Sequence, residues 1–177
     1  RGRVAKNEFE YLYLESFEKM YDMAEKVLER MERSGCEDLY KESMQMGTVI
    51  HGDYNYHNLL MLKEGMAVTG FEHMRVDIQM RDLYYFMRKA MEKHHWKQKT
   101  GQKILEAYEE VRPLSEREKE FAALSLAYPG KFKKIAGSYY RSNKAHLSEK
   151  NVEKLQICIR QTEEKYEFLS RIFPLNL

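Results

Sequence analysis

Cysteine is scarce in this chain. Cys36 and Cys158 are the two among 177 residues, far apart and without metal-ligand spacing, so two buried or half-buried thiols in a reducing interior are expected rather than a disulfide framework. Long apolar runs are also missing: none approaches the ~20 residues that a membrane span needs, and the opening RGRVAKNEFE has no apolar core of the secretory kind. Net charge is small, +2 from 30 basic and 28 acidic residues. No strong overall field therefore steers the molecule toward nucleic acid or an anionic membrane, and neither is expected as a partner. No internal repeat or low-complexity linker divides the chain.

What is present suits one globular domain. Charged residues make up 33% and hydrophobic ones 43%, too apolar for a disordered chain and long enough to bury a core. Thirteen Tyr and eleven Met read as packing material, because thioethers and aromatics fill irregular interiors. No cofactor box is needed to explain them.

Periodicity predicts mostly helices. From Glu8 to Arg33, apolar residues recur at helical spacing for seven turns until Ser34-Gly35, and a shorter helix is expected from Cys36 to Met46. After the central stretch, Arg81 to Met91 reads as a helix with Leu83, Phe86, Met87, Met91 and His94 on its buried side and Asp82 in its first turn. Ile104, Leu105, Tyr108 and Val111 mark the next, closed by Pro113. Ser115 and Glu118 form a capping box ahead of Phe121, Leu124 and Tyr128. Phe132 to Tyr140 predicts a helix bent near Gly137, and Val152 to Phe173 a last one capped at Ser148. The expected class is α+β, mostly α-helical, with one small hairpin.

The exception to the helical pattern is Val49 to Glu72, VIHGDYNYHNLLMLKEGMAVTGFE. Thr48-Val49-Ile50, Leu59 to Leu62 and Met66 to Thr69 are strand-like, with Lys63-Glu64-Gly65 as a hairpin turn. Between the first two runs lies a polar loop carrying His51, Asp53, His57 and Asn58. Phosphoryl transfer needs a carboxylate to orient or deprotonate a hydroxyl and oxygen ligands to hold Mg²⁺ against phosphates. Asp53 and Asn58 can meet the first need and part of the second. Asp and Asn are also ordinary turn residues, which is the plainer reading of the pair taken alone.

The motif His51-Gly52-Asp53-Tyr54-Asn55-Tyr56-His57-Asn58 resembles the H-G-D-x-x-x-x-N loop of the aminoglycoside phosphotransferase and choline kinase superfamily, relatives of the protein kinases. The region from HGDYNYHNLLM to FEHMRVDIQMRDLYYFMRKAMEKHHW looks most like the CotS-type spore coat proteins of endospore-forming bacteria, which belong to that superfamily. The resemblance implies the C-terminal lobe of a kinase-like fold spanning 1–177. It implies Asp53 as catalytic base, His51 as a brace within the catalytic loop, Asn58 as the ligand of the metal and thereby of the nucleotide, and Asp82 as a buried organiser accepting hydrogen bonds from the loop backbone. His57 is read as loop packing. ATP and Mg²⁺ are the implied cofactors, a small-molecule hydroxyl the implied acceptor, other coat proteins or a second copy the implied partners, and cytoplasmic synthesis followed by residence in the spore coat the implied location.

Two departures stand out. Where the superfamily has a metal-binding Asp before Phe71-Glu72, this chain has Gly70. Glu72 would share a strand face with position 70 but lie roughly 6–7 Å further along, leaving it a weak substitute ligand. No Gly-rich phosphate loop and no Lys–Glu pair precede the first helix, so the chain is read either as a fragment of a larger kinase-like protein or as a shortened descendant. A truncated or degenerate phosphotransferase is one expectation, a silent pseudokinase working by interaction the other. Elsewhere, Lys131, Lys133, Lys134, Arg141 and Lys144 read as a solvated face. Arg75, Arg81, Arg88 and Lys89 would either orient a phosphorylated ligand or pair with Asp77 and Glu92. His94-His95-Trp96 lacks a third zinc ligand.

Overall fold

The computed structural model describes residues 5, 7–141 and 149–173. Helix α1 (Glu8–Arg33) begins where the Asn7 side chain accepts the Glu10 N–H and leads into α2 (Cys36–Met46), which a left-handed Gly47 ends. Strands β1 (Val49–Ile50), β2 (Leu59–Leu62), β3 (Gly65–Val68) and β4 (Arg75–Val76) follow, then α3 (Met80–Lys93), α4 (Gln98–Glu109), α5 (Glu116–Ala127), α6 (Gly130–Arg141) and α7 (Glu149–Ile172). The mostly helical α+β expectation holds.

Helix α5 is the centre of the helical layer. Ala122, Ala123, Leu124 and Ala127 are fully buried, so after its charged opening, Glu116 to Glu120, it is apolar on nearly every side, as a helix segment enclosed by others must be. Its small residues let α1, α2, α3 and α7 pack closely around it. The capping box starts it: the Ser115 Oγ accepts the Glu118 N–H at 3.3 Å and the Glu118 carboxylate accepts the Ser115 N–H at 2.9 Å. Helix α3 lays Met80, Leu83, Met87 and Met91 against this core along one stripe. A second cluster joins Phe9 and Met20 of α1 to Phe132, Tyr139, Val152, Leu155 and Cys158. Packing accounts for only part of the abundant Met and Tyr: Met20, Met80, Met87, Met91 and Tyr139 are buried, whereas Met44, Met46, Met61, Met66, Met74, Tyr11, Tyr21 and Tyr40 are exposed. The Cys158 thiol is buried while Cys36 is half-buried.

Several expectations need correcting. The hairpin of β2 and β3 forms as expected, but a strand without a sequence signal, β4, pairs with β1, Val49 opposite Val76 and Ile50 opposite Arg75. Gly70 leaves the strand in a left-handed conformation and opens a 3-10 turn, Phe71–His73. The chain therefore does not remain a strand as far as Glu72. Helix α6 runs through Gly137 unbroken. Val111 is 88% exposed because α4 stops at Glu109, and His94 is an exposed C-cap rather than part of the buried side of α3. Ser148 and Lys144 lie outside the described residues.

Candidate functional site

The polar loop sits between β1 and β2 and is held by the side chains of Asp82, His51, Asn55 and Asn58. Asp82, half-buried in the first turn of α3, accepts the His51 N–H at 2.7 Å and the Gly52 N–H at 3.0 Å, one with each carboxylate oxygen. Such charge-assisted bonds are about twice as strong as neutral ones. The His51 ring is nearly buried and spans the loop: its Nδ1 accepts the Asp53 N–H at 3.1 Å, which leaves the proton on Nε2 to be donated to the Thr69 carbonyl at 2.8 Å. That bond ties the loop to the end of β3. Gly52 has φ +80, and a Cβ there would lie 2.2 Å from the His73 carbonyl oxygen, so no other residue fits without moving backbone.

Asn55 is the residue that sequence reasoning passed over. It is 4% exposed. Its Nδ2 donates to the Asp53 carbonyl at 2.9 Å and to the Asp53 carboxylate at 3.1 Å, while its Oδ1 accepts the His57 N–H at 3.0 Å and so caps the 3-10 turn Tyr56–Asn58. The available signal was an Asn two residues before a bonded N–H, the pattern of an Asx turn. Asn58 closes the same ring from the other side, with Nδ2 donating to the Asp53 carbonyl at 2.9 Å and to its carboxylate at 3.1 Å. Tyr85, one turn beyond Asp82 on α3, stands near the Asp53 carboxylate, and burial together with that negative charge raises its phenol pKa. Asp53 and Asn58 are thus brought together, with His51 and Asp82 beneath them.

The other end of the stretch is different. Gly70 has φ +83 and faces Asn58: a Cβ at 70 would come within 3.0–3.1 Å of the Asn58 amide atoms. The one place beside Asn58 where a second oxygen ligand would stand has no side chain. Glu72 is exposed on the 3-10 turn, and the strand-face argument that linked it to position 70 does not apply. Mg²⁺ takes near-octahedral oxygen coordination and is held through carboxylates together with phosphates and water. Asp53 and Asn58 together offer one carboxylate and one amide, with no side chain at position 70 to add to them, and among the described residues no group of three His, Cys, Asp or Glu is placed to hold a metal.

The surrounding cations are engaged with carboxylates. Arg75 and Arg81 both bond Asp77, at 3.1 and 2.7 Å, and Arg88 bonds Glu92 at 3.0 Å. Lys89 lies over the Tyr85 ring, 5.7 Å from its centroid. His57 is exposed with its ring against Tyr56.

An H-G-D loop braced by a histidine, a carboxylate at the start of the following helix holding the loop amides, and a layer of helices beneath define the helical half of a kinase-like phosphotransferase fold. The structure matches the crystal structure of an aminoglycoside phosphotransferase from Alicyclobacillus acidocaldarius subsp. acidocaldarius DSM 446 with a TM-score of 0.86 at 19% identity, over 96% of this chain and 50% of that one. Residues 2–172 match the family described as "Spore coat putative kinase YutH", and the chain belongs to that family. It is also similar to spore coat protein S of Bacillus subtilis (strain 168), 27% identical over 166 residues that cover 93% of this chain and 47% of that protein. The chain spans about half the length of these relatives. It is a kinase-like protein of a spore coat family, and among its described residues no helix is long and apolar enough to cross a membrane.

Proposed function

We propose that this chain is a degenerate small-molecule phosphotransferase lobe that serves the spore coat by interaction, its own loop being catalytically silent. The observation that carries the reading is Gly70 facing Asn58: the loop keeps its architecture, yet the position beside its amide ligand has only a hydrogen. Supporting an interaction role, the hairpin leaves Met61 81% and Leu62 59% exposed, apolar surface that suits contact with other coat proteins or a second copy.

A second reading is favoured by Asp53 itself, whose carboxylate is only partly buried and positioned by Asn55 and Asn58. In that reading a partner or a further segment completes the metal site, ATP and Mg²⁺ are the cofactors, and Asp53 takes the proton of a small-molecule hydroxyl. Calorimetric titration with Mg-ATP, on this chain and on the longest natural chain that contains it, separates the two. No saturable heat is expected. Magnesium-dependent ATP binding would reject the silent reading, and loss of an associated transfer activity in Asp53→Asn would support the second.

A further inference from the structure

Tyr85 also lines a cavity of about 630 Å³, walled mainly by α3, α6 and α7. Its size suits a small organic molecule. Among the described residues that line it, Arg88, Lys89, Lys131, Lys134, Lys154 and Lys165 are cationic and Glu92 alone is acidic. Glu92 is itself neutralised, by Arg88 at 3.0 Å and Lys131 at 3.2 Å. Lys134 and Lys154 have no carboxylate partner among the described residues. The cavity therefore carries a strong positive excess in a molecule whose net charge is only +2.

Two deeply buried polar groups point to more than a charged rim. Gln161 is 6% exposed, and its Nε2 donates to the Glu92 carbonyl at 2.9 Å, a partner that can only accept, so the amide orientation is set. Its Oε1 is buried and has no hydrogen-bond partner among the described residues, a deficit that a ligand donor would remove. Lys165 is 9% exposed and donates to the Ala127 carbonyl at 3.0 Å. That bond uses one of its three protons. Burial lowers its pKa to about 8, because desolvation disfavours the charged form.

We propose that this cavity binds a small hydroxylated organic anion, a polyol phosphate or polyol carboxylate, its acid group held by the lysines and one hydroxyl donated to Gln161 Oε1. A cationic ligand could also donate to that oxygen, but the six positive side chains exclude it. The site needs neither nucleotide nor metal, so it stands or falls separately from the loop.

Trp96 is the sole tryptophan, is buried and lines the cavity, so its fluorescence reports on occupancy. Glucose 6-phosphate and gluconate are titrated separately into the full chain, with glucose and inorganic phosphate as controls. Saturable change is expected with at least one hydroxylated anion, about tenfold tighter than with inorganic phosphate, and none with glucose. The phosphate and carboxylate arms show which acid group the site prefers. Lys134→Ala combined with Lys154→Ala, both at exposed positions, is expected to weaken binding about tenfold. Gln161→Leu should erase the preference over inorganic phosphate. The proposal is overturned if neither anion gives a saturable change up to about 10 mM, if glucose binds equally, or if the double variant binds like the parent. Should Gln161→Leu fail to fold, the double variant and the glucose control carry the test.

Discussion

Gly52 and Gly70 share a left-handed backbone, φ +80 and +83, at opposite ends of the same loop-and-hairpin unit, yet the space around them differs. A Cβ at 52 would strike a backbone oxygen at 2.2 Å, whereas a Cβ at 70 would meet the end of the Asn58 side chain at 3.0 Å. Backbone cannot yield without dismantling the β1–β4 corner, while an amide can shift by a few tenths of an ångström. Gly52 is demanded by the fold. Gly70 is not, so the missing ligand there is a chemical feature of this chain rather than a structural necessity.

That contrast can be broken at several points. Gly52→Ala should cost about 4 kcal/mol in denaturant unfolding, since it adds a backbone collision to the left-handed penalty that both glycines share. Asp82→Ala should cost about 3 kcal/mol by the same measurement, because the His51 and Gly52 N–H groups lose a charged acceptor together; a loss below about 1 kcal/mol would mean that α3 does not hold the loop. Asn55→Ala is expected to cost about 2 kcal/mol, removing a buried cap and the bonds that tether Asp53. Gly70→Ala should be mildest, about 1 kcal/mol, the ordinary penalty of a left-handed non-glycine residue. Were Gly70→Ala as damaging as Gly52→Ala, the distinction between the two glycines would collapse.

Much of this was legible in the sequence where information is local. Helix α1, α2 and β2 follow from apolar spacing, and the Ser115–Glu118 box from residue types three apart. The family and fold were legible because the H-G-D loop and the Asp82-Leu83 helix start are quoted intact by the chain. The β1–β4 pairing was not, because two-residue strands have no periodicity and find each other only in three dimensions. Glu72 was assigned to a strand face because the sequence does not announce that Gly70 turns left-handed and ends the strand. Asn55 gives no sign of its importance in the sequence, because that importance comes from burial. The basic cavity is not legible for another reason: its walls come from α3, α6 and α7, which bring Lys131 and Lys134 beside Gln161 and Lys165 only in three dimensions.

The most direct test of the central claim is Gly70→Asp. Aspartate tolerates the left-handed region better than most residues, and its carboxylate would stand against Asn58, where Gly70 now leaves nothing. Mg-ATP calorimetry on parent and variant, in this chain and in the longest natural chain containing it, should show saturable magnesium-dependent binding in the variant and none in the parent. Equal binding by both, or binding by the parent alone, would contradict the view that the chemistry stops at position 70.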